Sequence, residues 1–388
     1  MRVLLQKAAA NLHYAGTVLL AVSAIPAIQH LHLPTRLNWV RILEFYWITL
    51  GPRSMLYALV FCIVALPVRE TLGPFWSRYK KEKLRFVFVL LFLLVLQQAL
   101  WLTIAIVLTV DSVFVVELAE RCRSNGSSFR KTGIAVLIST TYMLAGLTLV
   151  TIYNDIIVAS KFPVSYDAVL NRMDTWILGG RTVPVIAHKM LAILPRQLLR
   201  FLDFAYFQMF LLVGAALLIA AFDSCMRGLQ FVGTCLTAHY LTLLTFYLWP
   251  TYGPYLFCST HAAQLPVYLS SYAFQISGMP HLQALMRRQI QYLGTGYYIA
   301  FPSMHIALPL IAMWYLRNWR RVFWLLGAYC CVLVFAIVAL EWHYALDLPG
   351  GIAVAVIALM LSGPSNKAVR EGPESPNYQG HSIAATTR

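Results

Sequence analysis

The 388 residues are 60% hydrophobic and only 12% charged, with a mean hydropathy of +0.68. An ordinary soluble domain carries roughly a quarter charged residues, so this composition cannot clothe a water-facing surface and points to a chain immersed in lipid. Thirty Lys and Arg against fifteen Asp and Glu give a formal charge of +15. The basic residues fall mostly between apolar runs, as topology signals and anionic-lipid contacts do, which argues against a nucleic-acid partner.

In chain order, apolar runs long enough to suggest spanning helices lie near 13–31, 52–68, 86–110, 133–153, 203–222, 229–248, 303–317, 321–341 and 347–361. They are continuous rather than alternating. Backbone amides in lipid must be satisfied within their own segment, so helices are expected rather than a barrel. The expected fold class is therefore all-α, a polytopic membrane bundle of about eight or nine spans. Met1–Lys7 followed by an apolar run has the look of a signal peptide. It lacks a small-residue cleavage site, and a retained first helix is expected.

Two long segments separate the runs. Residues 154–202 carry Pro163, Gly179, Gly180, Pro184 and Pro195, with amphipathic pieces around Trp176 and Leu191. Residues 249–302 carry Trp249-Pro250, Pro254, Pro266, Pro280 and the pair Arg287-Arg288. Their aromatic and apolar content predicts interfacial helices on one side of the bundle. The expected organisation is N-terminal membrane helices over 1–132, a catalytic core over 133–361, and a Gly-, Pro- and Ser-rich disordered tail over 362–388. Arg317, Arg320 and Arg321 crowd one short turn, which the positive-inside rule assigns to the cytoplasm. The two long segments then face the exoplasm. The basic loop Arg78–Arg85 contradicts this under one crossing per run, so a re-entrant, interfacial or miscounted run is expected in the N-terminal third. The seven cysteines show neither a CxxC nor a metal-ligand spacing.

The chemistry concentrates in two motifs at helix starts: Tyr297-Tyr298-Ile299-Ala300-Phe301-Pro302-Ser303-Met304-His305, and Glu341-Trp342-His343-Tyr344-Ala345-Leu346-Asp347. The helices between them form a hairpin turning at Arg317–Arg321, so both motifs emerge on one face. Ser303 stands where a helix N-cap belongs, and its hydroxyl with the first-turn amides makes an anion site. One neutral imidazole can attack phosphorus while a second, protonated one delivers a proton to the leaving alkoxide. His343 and Asp347 share a helical face, so the carboxylate can hold one ring nitrogen protonated and free the other. Each residue alone is more often an interfacial polar group, a cap or a structural partner; their co-location on one face raises the combination above those readings. Nothing in this set calls for a metal or a cofactor, and none is expected.

Phe-Pro-Ser-Met-His followed by His-Tyr-Ala-Leu-Asp resembles the type-2 phosphatidic acid phosphatase superfamily. Within it the chain looks most like the inositol phosphorylceramide synthase branch, to whose Pro-rich turn Trp249-Pro250-Thr251-Tyr252-Gly253-Pro254 is similar. The resemblance covers roughly residues 150–361. It implies that His343 is the nucleophile, Asp347 its orienting partner, His305 the proton donor and Ser303 a phosphate ligand. The superfamily's phosphatases place a Ser-Arg pair before the second His, where this chain has Ala336 and Ile337. The synthase-like branch shares that loss. Arg287 and Arg288 are the expected substitutes for phosphate binding, with Lys161 and Arg172 as alternatives. Trp342 stands where the branch has an additional His.

The expected activity is a membrane-embedded lipid phosphotransferase working through a phospho-histidine, its partners being the membrane and lipids with phosphate headgroups. A lipid or polyprenyl phosphate phosphatase is the alternative, and a transporter or non-catalytic scaffold is the rival of another class. The expected setting is an exoplasmic active site, with a bacterial inner membrane favoured. Donor, acceptor and oligomeric state are not encoded in any motif.

Overall fold

The computed structural model describes residues 12–34, 127–223, 225–257, 265–294 and 296–362. The runs near 52–68 and 86–110, the loop Arg78–Arg85 and the tail lie outside the described residues. Within them the chain is all-α and has no strand. The helices are α1 (Leu12–His30), α2 (Ser127–Lys161), α3 (Asp167–Ile177), α4 (Val183–Ile193), α5 (Arg196–Phe207) and α6 (Met209–Asp223). They continue with α7 (Cys225–Leu248), α8 (Pro254–Phe257), α9 (Ser270–Met286), α10 (Met304–Tyr315), α11 (Arg320–Ala339) and α12 (Asp347–Ser362).

The central element is α7, which packs against α1, α2, α6, α10 and α12. Its core residues Phe231, Val232, Cys235, Leu236 and Ala238 are fully buried. Small and hydroxylated side chains let its neighbours approach. A Cβ on Gly146 of α2 would lie 2.4 Å from Leu236, and Thr237 Oγ1 meets Ser362 Oγ of α12 at 2.7 Å. Thr234 Oγ1 meets the Tyr315 hydroxyl of α10 at 2.9 Å, and Thr242 Oγ1 donates to Met304 Sδ at 3.0 Å. Polar side chains paired across helices fix register where apolar packing alone would let helices slide.

Two described helices, Arg227–Leu248 and Val322–Ala339, are long and apolar enough to cross a membrane. The runs near 303–317 and 347–361 do fold as helices, but α10 has 12 residues and α12 has 16, against the ~20 that a full crossing needs. The run near 203–222 is divided. Asp203–Phe207 closes the amphipathic α5, and α6 restarts after Gln208, because Asp203 and Tyr206 face the core rather than continuing an apolar stripe.

The long segments form helices at the positions expected, α3 around Trp176 and α4 around Leu191. α4 and α5 pack along α11, and α9 packs on α2 and α5. α3 is amphipathic: Asp167 and Asp174 are buried, while Trp176 is 85% exposed.

Candidate active site

Three helix ends build the site: the start of α10, the end of α11 and the start of α12. The α10 start is set by Ser303, whose extended backbone (φ −73°, ψ 112°) makes it the N-cap. Its carbonyl accepts from Ile306 N at 3.3 Å and Ala307 N at 3.1 Å. Its hydroxyl makes no capping bond and instead lies 3.5 Å from His343 Nε2. α12 comes close because it opens with Gly350-Gly351. A Cβ on Gly351 would sit 2.4 Å from the Ser303 carbonyl oxygen, so only glycine permits this approach.

After α11 the chain turns back sharply. Glu341 is in the left-handed region at φ 57°, and the amides of Trp342 and His343 both donate to the Ile337 carbonyl. This turn drives the His343 ring into the core, 4% exposed. Its Nδ1 faces two acceptors, Ala300 O at 2.8 Å and Asp347 Oδ2 at 3.0 Å. With acceptors on that side, Nδ1 carries the proton of the neutral ring and the lone pair is left on Nε2. Asp347 is fully buried; Oδ2 also accepts Tyr344 N at 2.9 Å, and Oδ1 has no partner. Asp347 Oδ2 is thus placed to hold the Nδ1 proton and fix the orientation of the His343 ring.

The His305 ring is 5.6 Å from that of His343, centroid to centroid, and is tilted by 63°. It is held by Tyr206 of α5, stacked on it at 3.9 Å and 14°. On the same plane Tyr206 stacks on Trp342 at 5.2 Å. Trp342 is fixed in turn by Nε1 donating to Ser271 Oγ at 3.0 Å, and Ser271 Oγ donates to Asp203 at 2.6 Å.

Ser303, His305, His343 and Asp347 are thus brought together from two separated motifs. Arg287 and Arg288 are not part of this cluster. Both are exposed at the end of α9, and Arg288 Nε donates to Ala159 O near the end of α2 at 3.3 Å. Ala336 and Ile337 are fully buried core residues of α11, so no cation stands there.

Sequence reasoning missed the buried acceptors that hold the surrounding loops. Asn154 Oδ1 takes Tyr298 N at 3.1 Å, and Asp155 Oδ2 takes Gly294 N at 2.7 Å. Asp167 and Asp174 hold residues near 252 and 345. Burial raises the pKa of both aspartates, and the hydrogen bonds they accept pull it back. The available signal was an acidic residue recurring in an otherwise apolar segment.

Two histidines, a serine and an aspartate sunk among helix ends form an arrangement suited to nucleophilic displacement at a phosphate ester. Residues 172–361 match the family model of the PAP2 superfamily. That match supports the superfamily, and with it an enzyme of phosphatase or phosphotransferase type acting on phosphorylated lipids. No curated protein and no solved structure gives a significant match.

Proposed function

We propose that this chain is a polytopic membrane lipid phosphotransferase of the inositol phosphorylceramide synthase-like kind. The observation that carries it is the Asp347–His343 pair, with Nε2 facing Ser303 Oγ at 3.5 Å and the His305 ring alongside. Residues 133–361 form the catalytic core, between an N-terminal part over 1–132 and a tail over 362–388.

In the first step His343 Nε2 attacks phosphorus and the bond to the leaving alkoxide breaks. His305 gives its proton to that alkoxide, and Asp347 stabilises the charge arising on the His343 ring. Ser303 Oγ donates to a phosphoryl oxygen. In the second step the hydroxyl of an acceptor lipid attacks the phospho-histidine, His305 takes the hydroxyl's proton, and the P–N bond returns its electrons to Nε2. Arg287 and Arg288 attract the anionic headgroup from the surface.

Transfer to a lipid alcohol is favoured over hydrolysis by burial. Ser303 and Asp347 are fully buried and His343 nearly so, which limits competing water. The bilayer setting is supported by exposed apolar side chains on the outer helices: Val18, Leu19 and Val22 of α1, Trp324 and Phe335 of α11, Met360 of α12. An exoplasmic site is supported by Arg317, Arg320 and Arg321 at the opposite end of the α10–α11 hairpin.

The test uses purified protein in lipid nanodiscs with labelled phospholipids and polyprenyl phosphates, with and without ceramide or diacylglycerol. A new phospholipid that forms only with acceptor, and is absent with His343→Ala, is expected. Phosphate release indifferent to acceptor would make the enzyme a phosphatase. Turnover unchanged in His343→Ala would remove the catalytic reading and leave a transporter or scaffold.

A further inference from the structure

Three residues separate His343 from Asp347, and the amide of each is held by an aspartate. Tyr344 N donates to Asp347 Oδ2 at 2.9 Å. Ala345 N donates to Asp174 Oδ2 at 2.6 Å and Leu346 N to Asp174 Oδ1 at 3.0 Å. Asp174 thus spends one oxygen on each of two consecutive amides, a task that a carboxylate can do and an amide side chain cannot, since Asn offers only one acceptor oxygen.

About two turns earlier on the same buried face of α3 stands Asp167. Its Oδ1 accepts the Tyr344 hydroxyl at 3.0 Å and Gly253 N at 2.8 Å; its Oδ2 accepts Tyr252 N at 3.0 Å. Gly253, at φ 100°, is pressed on the same loop: a Cβ there would lie 2.8 Å from the Trp342 carbonyl oxygen. The loop is clamped from one side by α3 and from the other by Trp342 on Ser271. Both aspartates fix the backbone that sets the His343–Asp347 distance.

We propose that Asp174, seconded by Asp167, is a positioning residue for catalysis: α3 is a clamp that sets the geometry of the nucleophile and its orienting carboxylate. The proposal rests on the reading of His343 as nucleophile. Small misplacements of reacting groups cost rate out of proportion to distance, so the effect belongs in kcat rather than in donor binding.

The experiment compares wild type, Asp174→Asn, Asp174→Glu, Asp167→Asn, Tyr344→Phe and His343→Ala in nanodiscs. For each, kcat, donor KM, the melting temperature and acid-labile phospho-protein after a short pulse of labelled donor are measured. Asp174→Asn is expected to lower kcat and the rate of phospho-protein formation about 10- to 100-fold, with donor KM within about twofold of wild type. A purely structural role would instead lower the melting temperature while the folded fraction kept its wild-type kcat, and that result overturns the proposal. Tyr344→Phe deletes only the hydroxyl that Asp167 accepts, and a fall in kcat of about threefold is expected with KM unchanged. Should Asp174→Asn not fold, wild-type kcat in Tyr344→Phe and Asp167→Asn together overturns the clamp. Activity persisting in His343→Ala removes the underlying mechanism instead. Inactive His343→Ala beside fully active aspartate variants removes only the clamp.

Discussion

Ser303 has a hydroxyl that is buried, close to His343 and unused in capping its own helix. An N-cap Ser that bonds its helix costs about 0.5–2 kcal/mol when replaced by Ala. Here Ser303→Ala should leave the unfolding midpoint within experimental error while turnover falls about tenfold or more, the scale of a lost transition-state hydrogen bond; thermal unfolding and initial rates on one preparation separate the two. Asp347→Asn keeps the size of the side chain but presents a donor or a weaker acceptor to Nδ1. A loss on the order of 10⁴-fold is expected in kcat, as for other carboxylates that orient a catalytic imidazole. Gly351→Ala tests the close approach of α12 to α10. With Ser303 O only 2.4 Å from the new methyl group, backbone must move, at a cost of about 1–3 kcal/mol. Gly278 in α9 has nothing within 4 Å of its built Cβ, so Gly278→Ala is the control and should gain about 0.5–1 kcal/mol. Denaturant titration in mild detergent reads both.

At the level of elements, the helix starts carrying Ser303 and Asp347 were legible because the evidence is local. A Pro-Ser step opens one helix and Asp347 opens the other, but His343 lies in the loop four residues before Asp347 rather than on a shared helical turn. The stack of Tyr206 on His305 was not legible. α5 looked like the opening of an apolar run, and nothing in its spacing says that one aromatic turns toward a residue a hundred positions away. The same holds for Asp174, whose partners are backbone amides at positions |i−j| = 171 and 172 away; an amide leaves no trace in the identity of the residue that offers it. Two of the described helices are long and apolar enough to cross a membrane, and an apolar run by itself does not distinguish a full crossing from a short core helix. Tyr206→Phe retains the ring and should keep near-wild-type turnover. Tyr206→Ala removes this stack from the His305 ring, and a loss within the 10²–10⁴-fold range of a general acid–base group is expected in kcat. Near-wild-type kcat in Tyr206→Ala would show that α5 does not position the proton donor.

Among the described residues, hydroxyl groups pair along the face of α7, while α1, α11 and α12 expose apolar side chains. Trp324 is 65% exposed on α11. In nanodiscs made with brominated lipid, its fluorescence should be quenched far more than that of Trp342, which is 8% exposed among other aromatics; single-Trp variants make the comparison. Equal quenching would mean that α11 does not face lipid. Cysteines placed at Trp176 and at Arg317 should label from opposite sides of intact vesicles, and labelling from one side only would overturn the orientation.

The shortness of α10 has a consequence for the bilayer itself. Twelve residues rise about 18 Å, and a typical hydrocarbon core is about 30 Å thick. On the proposed bilayer setting, a helix that short does not carry its N-terminus, with Ser303 and His305, up to the level of ordinary headgroups. Either the membrane thins against the protein here or the site lies in a dimple below the surrounding surface. A substrate then arrives sideways, its phosphate dropping over a rim while its tails stay among neighbouring chains. Turnover should accordingly rise in thinner bilayers and fall in thicker ones, at constant headgroup composition.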